Sequence, residues 1–271
     1  MAQARRTIAV VNLKGGSGKT TTSLSLAACA AARALRVLLI DGDPQGNSTM
    51  VMLEGQEPPG PTIADVLLGK AQAPQAIAPT RIKGLDILPA DDSLADAAVE
   101  LTDQLGRESR LRRAMRAVEG YDLVLIDAAP ELNLVTVNIL NFAGELLVPV
   151  DAGLFSIAGL ARLEATVEEV RVHLDNPDVR IAGLVLTRAH SNRATKDIEE
   201  QLREKYGPLV CRTTIPHSVR VEEAHARYLT VQEFASDSAP ALAYGELSRE
   251  ILGDVKAPAR NAKKSRPKHV A

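Results

Sequence analysis

The stretch VVNLKGGSGKTTT, at residues 10–22, decides how the rest of the chain is interpreted. A phosphate-binding loop has the pattern Gly, any four residues, then Gly-Lys-Ser/Thr. The end of that pattern is present at 18–20, but Leu13 stands where its first Gly belongs. Lys14 comes next, ahead of Lys19, the lysine that the pattern requires. The loop therefore has two lysines where a loop for one nucleotide needs only one.

The residue types in this loop are those that hold a polyphosphate. The small residues let backbone N–H groups turn toward phosphate oxygens, and the helix that follows directs its positive end at the same anion. Lys19 is predicted to contact the β- and γ-phosphates, Thr20 to ligate Mg²⁺ and Thr21 to contact the α-phosphate. The ATP-binding residues predicted from this motif are Gly15, Gly16, Ser17, Gly18, Lys19, Thr20 and Thr21.

Short apolar runs recur along the chain and alternate with helical patterns. Runs that are apolar on both faces indicate a parallel sheet buried between two layers of helices. Apolar residues at intervals of three and four from Ile157 to Leu174 predict one of these helices, and three prolines and two glycines at 54–61 predict a loop. We therefore predict an α/β fold of the P-loop NTPase type, with a mostly parallel, twisted sheet and helices on both faces. The predicted strands are 8–11, 37–40, 85–88, 123–126, 146–150 and 181–186.

Acidic residues follow two of the predicted strands. Asp41 and Asp43 belong to DGDPQGN, and Asp127 ends the run LVLID. Ligands bind beyond the carboxyl ends of parallel strands, so these carboxylates should meet the phosphate loop. Hydrolysis of a phosphoanhydride uses an acid near Mg²⁺ and another near the attacking water. We predict Thr20, Asp41 and Asp127 as magnesium ligands, the last directly or through water, and Asp43 and Lys19 as catalytic residues.

Length, charge and hydrophobicity indicate how the chain is divided and where in the cell it is expected. A chain of 271 residues with 45% hydrophobic residues can form one α/β domain, which we predict to span 1–255. Residues 256–271 carry six Lys or Arg and no acid, and without them the formal charge changes from −2 to −8. That segment predicts a disordered basic tail, which either binds a phosphate-rich polymer or only aids solubility. No apolar run is long enough for a bilayer span or a secretory leader, so a cytoplasmic location is expected.

The three motifs, in this order, resemble the deviant Walker A, A′ and B motifs of the ParA/MinD ATPases. They lie at 14–21, 41–47 and 125–127, and they are most similar to those of ParA-type DNA-partitioning proteins. The family's C-terminal pattern is also recognisable between 215 and 244, so the resemblance covers about residues 6–252. There are two departures from the family. A histidine stands at position 217 where an arginine is usual, and the sequence TRAH at 187–190 replaces a more familiar base-side loop.

The resemblance implies further roles. Lys14 corresponds to the family's signature lysine, which crosses a two-fold interface to contact the nucleotide of the other subunit, so it is expected to bind ATP and to act in catalysis. Pro216 is expected on the adenine side. Arg220 matches a family position implicated in DNA contact. Arg193 and Arg212 are further DNA-binding candidates, because residues 180–230 carry nine Lys or Arg against six acids.

The leading functional hypothesis from the sequence is an ATPase for DNA segregation of a chromosome or plasmid. ATP closes a homodimer, the dimer binds double-stranded DNA without sequence preference on the nucleoid, and a ParB-type partner stimulates the hydrolysis that releases it. One alternative is a ParA-like ATPase that positions a protein cargo. A MinD-like membrane ATPase is a weaker alternative, because the tail lacks an apolar face, and no membrane partner is expected. An electron-transfer reductase is disfavoured because Cys29 and Cys211 lie far apart and lack the CxxC spacing typical of an iron-sulfur cluster site.

Overall fold

The computed structural model describes residues 5–151, 156–174 and 176–253. The predicted tail at 256–271 lies outside the described residues, as does the predicted domain boundary at 255, so both stay predictions. The strands in the described part are β1 (Arg6–Val10), β2 (Val37–Gly42), β3 (Ala78–Pro79), β4 (Leu85–Leu88), β5 (Leu123–Ala128), β6 (Glu145–Asp151) and β7 (Arg180–Thr187).

In the described part of the chain, helices lie between all consecutive strands except β3 and β4. Short 3₁₀ turns occupy 101–103, 107–109, 115–117 and 207–209. The α-helices are α1 (Lys19–Ala32), α2 (Asn47–Met52), α3 (Ile63–Leu68), α4 (Ala73–Ala76), α5 (Ser93–Glu100), α6 (Arg110–Ala114), α7 (Leu134–Phe142), α8 (Ser156–His173), α9 (Arg193–Tyr206), α10 (Val219–His225), α11 (Val231–Phe234) and α12 (Ala239–Leu252).

The strands form a single mixed sheet in the order β3-β4-β2-β5-β1-β6-β7. Every neighbouring pair is parallel except β3 with β4. This confirms the predicted α/β class and all six predicted strands. The added strand, β3, was not predicted because it has two residues and includes a proline, so it carries no apolar run.

Two hydrophobic cores lie on opposite faces of the sheet. Successive residues of a strand point to opposite faces, and β2 shows this, because Leu38 packs in the core with α3 and α7 while Leu39 packs in the core with α1 and α12. Both side chains are fully buried. Helices on both faces are therefore confirmed.

The predicted helical stripe and the predicted loop are also confirmed. On α8 the stripe residues Leu160, Leu163, Val167 and Val170 are all buried. Residues 54–61 contain neither helix nor strand and connect α2 to α3. Because the central strands are parallel, the carboxyl ends of β1, β2 and β5 lie along one edge of the sheet, where the motifs of the sequence come together.

Candidate nucleotide-binding site

A cavity of about 470 Å³ lies at the carboxyl ends of the central strands. Its volume is within the range of pockets that hold a small-molecule ligand or cofactor. The loop from Gly15 to Thr21 lines it, together with Asp43 after β2 and Pro216. Loop residues predicted to bind phosphate therefore share a cavity with the predicted catalytic acid and the predicted adenine contact.

The phosphate loop turns sharply into α1. Gly18 precedes the helix with φ of 84°, a left-handed conformation that is favourable for glycine, and Lys19 is the first helical residue. The carbonyl of Lys14 accepts hydrogen bonds from Ser17 Oγ at 3.2 Å and from Lys19 Nζ at 3.1 Å. The loop is thus closed on itself, with the N-terminus of a helix of 14 residues at the cavity.

The Lys19 ammonium is held in a buried environment. Burial lowers the pKa of Lys19, and the nearby carboxylates of Asp127 and Asp43 oppose this effect. A cation removed from water gains most from a close anion. This position suits a lysine that contacts phosphate oxygens.

The end of β7 fastens the same loop from the other side. Thr187 Oγ1 donates a hydrogen bond of 2.8 Å to the carbonyl of Ser17, and Arg188 Nη1 donates one of 3.1 Å to the carbonyl of Gly16. Both side chains line the cavity. Arg188 has a φ of 52°, which is uncommon for a residue with a side chain. The carbonyls of Gly16 and Ser17 are therefore held by two consecutive residues, the last residue of β7 and the one after it.

The three predicted acids occupy different depths. Asp43 lines the cavity, whereas Asp41 and Asp127 are buried behind it as neighbours on β2 and β5. Asp41 Oδ2 accepts hydrogen bonds of 2.8 Å from both the N–H and the hydroxyl of Thr49, and its Oδ1 accepts one of 3.2 Å from the Asp43 N–H. Asp41 thus holds the backbone of Asp43, and its predicted magnesium ligation stays a prediction.

Asp127 is surrounded by hydroxyl donors. Ser48 Oγ donates to it at 2.8 Å and Ser23 Oγ at 3.3 Å, and a hydrogen bond from Thr20 further stabilises its charged form. Thr20, the predicted magnesium ligand of the loop, lines the cavity. The structure therefore brings Thr20, Asp43 and Asp127 together at what we call the phosphate end, defined as residues 14–21, 41–43 and 127.

Burial raises the pKa of both inner carboxylates. The pKa of Asp41 is raised to about 7, first by burial and then by the charge of Asp127, against the hydrogen bonds from Thr49 and Asp43. Burial raises the pKa of Asp127 to about 6, against the hydrogen bonds from Ser48 and Thr20. Two buried acids side by side favour a nearby cation, which is consistent with a magnesium site at this end of the cavity.

Lys14 is placed differently from Lys19. It is not among the residues that line the cavity, and its Nζ lies 3.6 Å from Asp151 Oδ2 at the end of β6. The side chain remains partly exposed, at 35%. The two lysines of the loop therefore point to different surroundings, one buried at the cavity and the other toward solvent beside an acid.

The other side of the cavity is built from residues 187–190 and 215–218, which we call the base-side segments. The Ala189 N–H donates 3.0 Å to the Ile215 carbonyl, and the His217 N–H donates 3.0 Å to the Ala189 carbonyl. This pairing stacks the rings of His190 and His217, with centroids 4.6 Å apart and planes 24° from parallel. The two departures from the family pattern thus contact each other, and His217 lines the cavity.

The three DNA-binding candidates lie on the surface. The side chains of Arg193, Arg212 and Arg220 are exposed by 94%, 89% and 56%. Each has an acidic neighbour, at 4.0 Å, 3.8 Å and 2.9 Å respectively. Exposed ion pairs of this kind contribute little to stability, so these guanidinium groups can change partners readily. Their predicted contact with DNA stays a prediction.

Sequence reasoning missed several residues that shape the site. Thr49 and Ser48 hold the two inner carboxylates, and Thr187 and Arg188 hold the phosphate loop. A signal was present for all four, because Thr187 and Arg188 stand at the end of β7, and Ser48 and Thr49 lie in α2, the first helix after β2, at the same edge of the sheet as the motifs. Small polar residues after strands are common, so the position alone did not identify them.

Fold and site together define a P-loop ATPase of the ParA/MinD type. A family model described as an AAA domain matches residues 5–181. The chain is 38% identical over 255 residues to the chromosome partitioning protein ParA of Caulobacter vibrioides (strain NA1000 / CB15N), covering 93% of this chain and 95% of that one. It is 40% identical over 255 residues to the chromosome-partitioning ATPase Soj of Thermus thermophilus, covering 94% and 98%. The chain belongs to the ParA/Soj family of ATPases.

A solved structure agrees with this assignment of the fold. It is described as cobyrinic acid a,c-diamide synthase from Mycobacterium smegmatis with a bound ATP analog and magnesium. Its TM-score is 0.79 at 30% identity, with 95% of this chain and all of that one covered. Among the residues described for the present chain, no helix combines the length and the apolar character needed to cross a bilayer.

Proposed function

We propose that this protein is an ATP-dependent DNA-segregation ATPase of the cytoplasm and nucleoid. The ATP-bound form is a homodimer that binds double-stranded DNA without sequence preference, and a ParB-type partner stimulates the hydrolysis that releases it. The proposal is supported by the relatives named for chromosome partitioning and by one observation in particular. Lys14 does not line the cavity of its own protomer, although it belongs to the phosphate loop.

The cis contacts to ATP come from the rest of the loop. Residues 15–21 line the cavity, and we expect Lys19 and the loop N–H groups to hold the phosphates. Thr20 and Asp127, which share a hydrogen bond, are the residues that would hold Mg²⁺. When bound, Mg²⁺ neutralises charge on the phosphate oxygens. Asp43 lines the cavity and its backbone is held by Asp41, so it can orient a water for attack on the γ-phosphate.

Lys14 then supplies the contact in trans. Two ATP molecules that face each other across a two-fold axis bring much negative charge together, and one lysine from each chain offsets it only while the triphosphates are present. The arginines of both protomers become a single doubled surface in such a dimer. DNA binding therefore depends on ATP through dimerisation.

The test is the substitution Lys14→Ala. This variant should still bind ATP, because Lys19 and the loop N–H groups remain, but it should stay monomeric and lose DNA binding. Light scattering and a gel shift on the same ATP-loaded sample measure both properties. The control is Lys70→Ala, an exposed lysine paired with Glu100. A Lys14→Ala protein that is dimeric and DNA-bound with ATP would contradict the proposal.

The DNA surface has its own test. If Arg193, Arg212 and Arg220 contact backbone phosphates, affinity should fall steeply with salt and vary little among unrelated fragments of equal length. Arg220→Ala should weaken all fragments alike. A strong preference for one fragment would contradict binding without sequence preference.

A further inference from the structure

Arg81 lies outside every motif of the sequence, in the connection between β3 and β4. Its guanidinium group makes four hydrogen bonds to three residues in two separate segments, α2 and the segment from α10 to α11. It donates to Glu233 Oε1 at 2.9 Å and Oε2 at 2.8 Å, to the Val51 carbonyl at 2.8 Å and to the Tyr228 carbonyl at 2.9 Å. Only 19% of its side chain is exposed.

Both segments that Arg81 joins contribute to the cavity lining. The first is α2, whose Met50 and Val51 line the cavity and which directly follows the loop of Asp43. The second is the segment from α10 to α11, where Val221, Glu222 and His225 line the cavity. Tyr228 belongs to the turn that ends α10, because its N–H donates to the His225 carbonyl at 3.0 Å. One side chain thus spans two parts of the same cavity wall.

Each partner of Arg81 is itself held in place. Glu233 Oε2 also accepts hydrogen bonds from the N–H of Thr230 at 3.0 Å and from its hydroxyl at 2.9 Å, which fixes the start of α11. Burial raises the pKa of Glu233, but the hydrogen bonds from Arg81 and Thr230 outweigh it and leave the pKa below its ordinary value. Glu233 is therefore a carboxylate in a bidentate pair, the geometry in which Arg differs most from Lys.

The backbone on either side of Arg81, in the connection between β3 and β4, is also held in place. Thr80 Oγ1 donates 2.7 Å to the Leu85 carbonyl and accepts 3.2 Å from the Ile82 N–H, which closes the connection around Arg81. A second contact joins the same two segments, since a Cβ at Gly55, which has φ of 76°, would lie 2.7 Å from the Tyr228 ring. Gly55 therefore allows the turn after α2 to pack against the turn after α10.

We propose that Arg81 is a positioning residue of the ATPase, which holds α2 and the α10–α11 segment together as one wall of the nucleotide cavity. None of its four hydrogen bonds goes to the phosphate loop or to the aspartates of the phosphate end. Its effect is therefore on how well this wall of the cavity is preformed for the nucleotide. A wall that must be ordered when ATP binds weakens binding by the cost of that ordering. The inference concerns ATP binding alone and stands apart from the proposals about dimerisation and DNA.

The experiment compares Arg81→Gln with a matched variant, Arg6→Gln. Arg6 makes the same kind of contacts, donating to Glu145 at 3.2 Å and 2.6 Å and to the Ile251 carbonyl at 3.0 Å. It lies at the amino end of β1, at the opposite edge of the sheet from the cavity. Both variants lose a bidentate pair, together with one carbonyl contact for Arg6 and two for Arg81, so both should lower the melting temperature.

Only Arg81→Gln should change nucleotide binding. We expect its ATP Kd by calorimetry, and the KM for ATP, to rise by about tenfold with kcat within about twofold of the wild type. Arg6→Gln should keep both constants. Arg81→Lys should fall between wild type and Arg81→Gln, because one ammonium cannot reach four acceptors.

Equal ATP affinity in Arg81→Gln and Arg6→Gln would overturn the proposal and leave Arg81 as a structural ion pair. If Arg81→Gln does not fold, Arg81→Lys and Glu233→Gln replace it in the same comparison. An unchanged ATP Kd in both of those would overturn the proposal as well. Loss of kcat without a change in KM would also overturn it, because that result assigns Arg81 to the chemical step.

Discussion

The phosphate end of the cavity and its base-side segments are built in different ways. The phosphate end is a continuous loop after β1, with acids from β5, which pairs with β1, and from β2, which pairs with β5. Buried hydrogen bonds hold Asp127 and Asp41. The base-side segments are 187–190 and 215–218, which are far apart in sequence and are joined by two backbone hydrogen bonds and a pair of stacked rings. Central strands fix the first region, whereas the second depends on how distant segments meet.

This difference predicts unequal responses to substitution. A change at the phosphate end removes a buried charge or a held backbone, and no other group can replace it. A change at the stacked histidines of the base-side segments removes part of a partly exposed contact, for which neighbours and water can compensate. The predictions below test that inequality.

The largest effect is expected for Lys19→Ala. Its buried ammonium is the loop cation that faces the cavity, so ATP binding should weaken by about a hundredfold or more. Calorimetry with ATP and Mg²⁺ measures it, and the exposed Lys70→Ala serves as the control. An ATP affinity within a few-fold of the wild type would show that the phosphate end is not more sensitive to substitution than the base-side segments.

Asp43→Ala should separate binding from turnover. Removing the acid that faces the cavity should lower kcat by about a hundredfold while ATP still binds, because general bases contribute on that scale. Phosphate release and calorimetry give the two constants. Asp43→Asn keeps an oxygen for the 3.0 Å hydrogen bond from the Gln45 N–H, so it controls for the turn. Full turnover in Asp43→Asn would contradict a role for the charge.

The buried acids predict a pH dependence in the absence of nucleotide and Mg²⁺. Because the folded-state pKa of Asp41 and Asp127 is raised above the unfolded value, the folded chain binds more protons, and stability is lost as pH rises from about 4 to about 7. Asp127→Asn should reduce the total loss of stability across this pH range by on the order of 3 kcal/mol. Urea unfolding at a series of pH values measures it. A parallel slope in wild type and variant would show that Asp127 does not titrate in this window.

The smallest effect is expected at the base-side segments. His217→Ala removes one ring of the stack that lines the cavity, and we expect ATP affinity to fall by about threefold, the scale of one aromatic pair. The control is His173→Ala, at the exposed end of α8. If His217→Ala lowered ATP affinity as much as Lys19→Ala, the two regions would be equally sensitive to substitution, and the expected inequality would be wrong.

The phosphate end could be predicted from sequence because its determinants are local. Gly18, Lys19 and Thr20 are adjacent, and Asp127 follows a strand whose apolar run identifies it. Parallel pairing then brings these residues to one edge without any knowledge of side-chain packing. The same reasoning gave the class of the fold and the six longer strands.

The rest depended on contacts that no local pattern encodes. Three contacts join segments that are far apart in the sequence: the hydrogen bond from Thr187 to the phosphate loop, the stacking of His190 on His217, and the four hydrogen bonds of Arg81. The depth of Asp41 was also unpredictable. Whether a strand-end acid faces the cavity or a neighbouring threonine depends on the turn that follows, not on its spacing in the motif.

The ion pair of Lys14 with Asp151 has a consequence for selectivity between nucleotides. If Lys14 crosses to the other subunit as proposed, dimerisation exchanges one anionic partner of Lys14 for another, and the contribution of Lys14 to dimerisation is the difference between the two attractions. Asp151 thereby sets a threshold that the facing nucleotide must exceed. A triphosphate carries more charge than a diphosphate, so under this proposal we expect the resting contact to favour dimerisation with ATP over dimerisation with ADP, before any hydrolysis occurs.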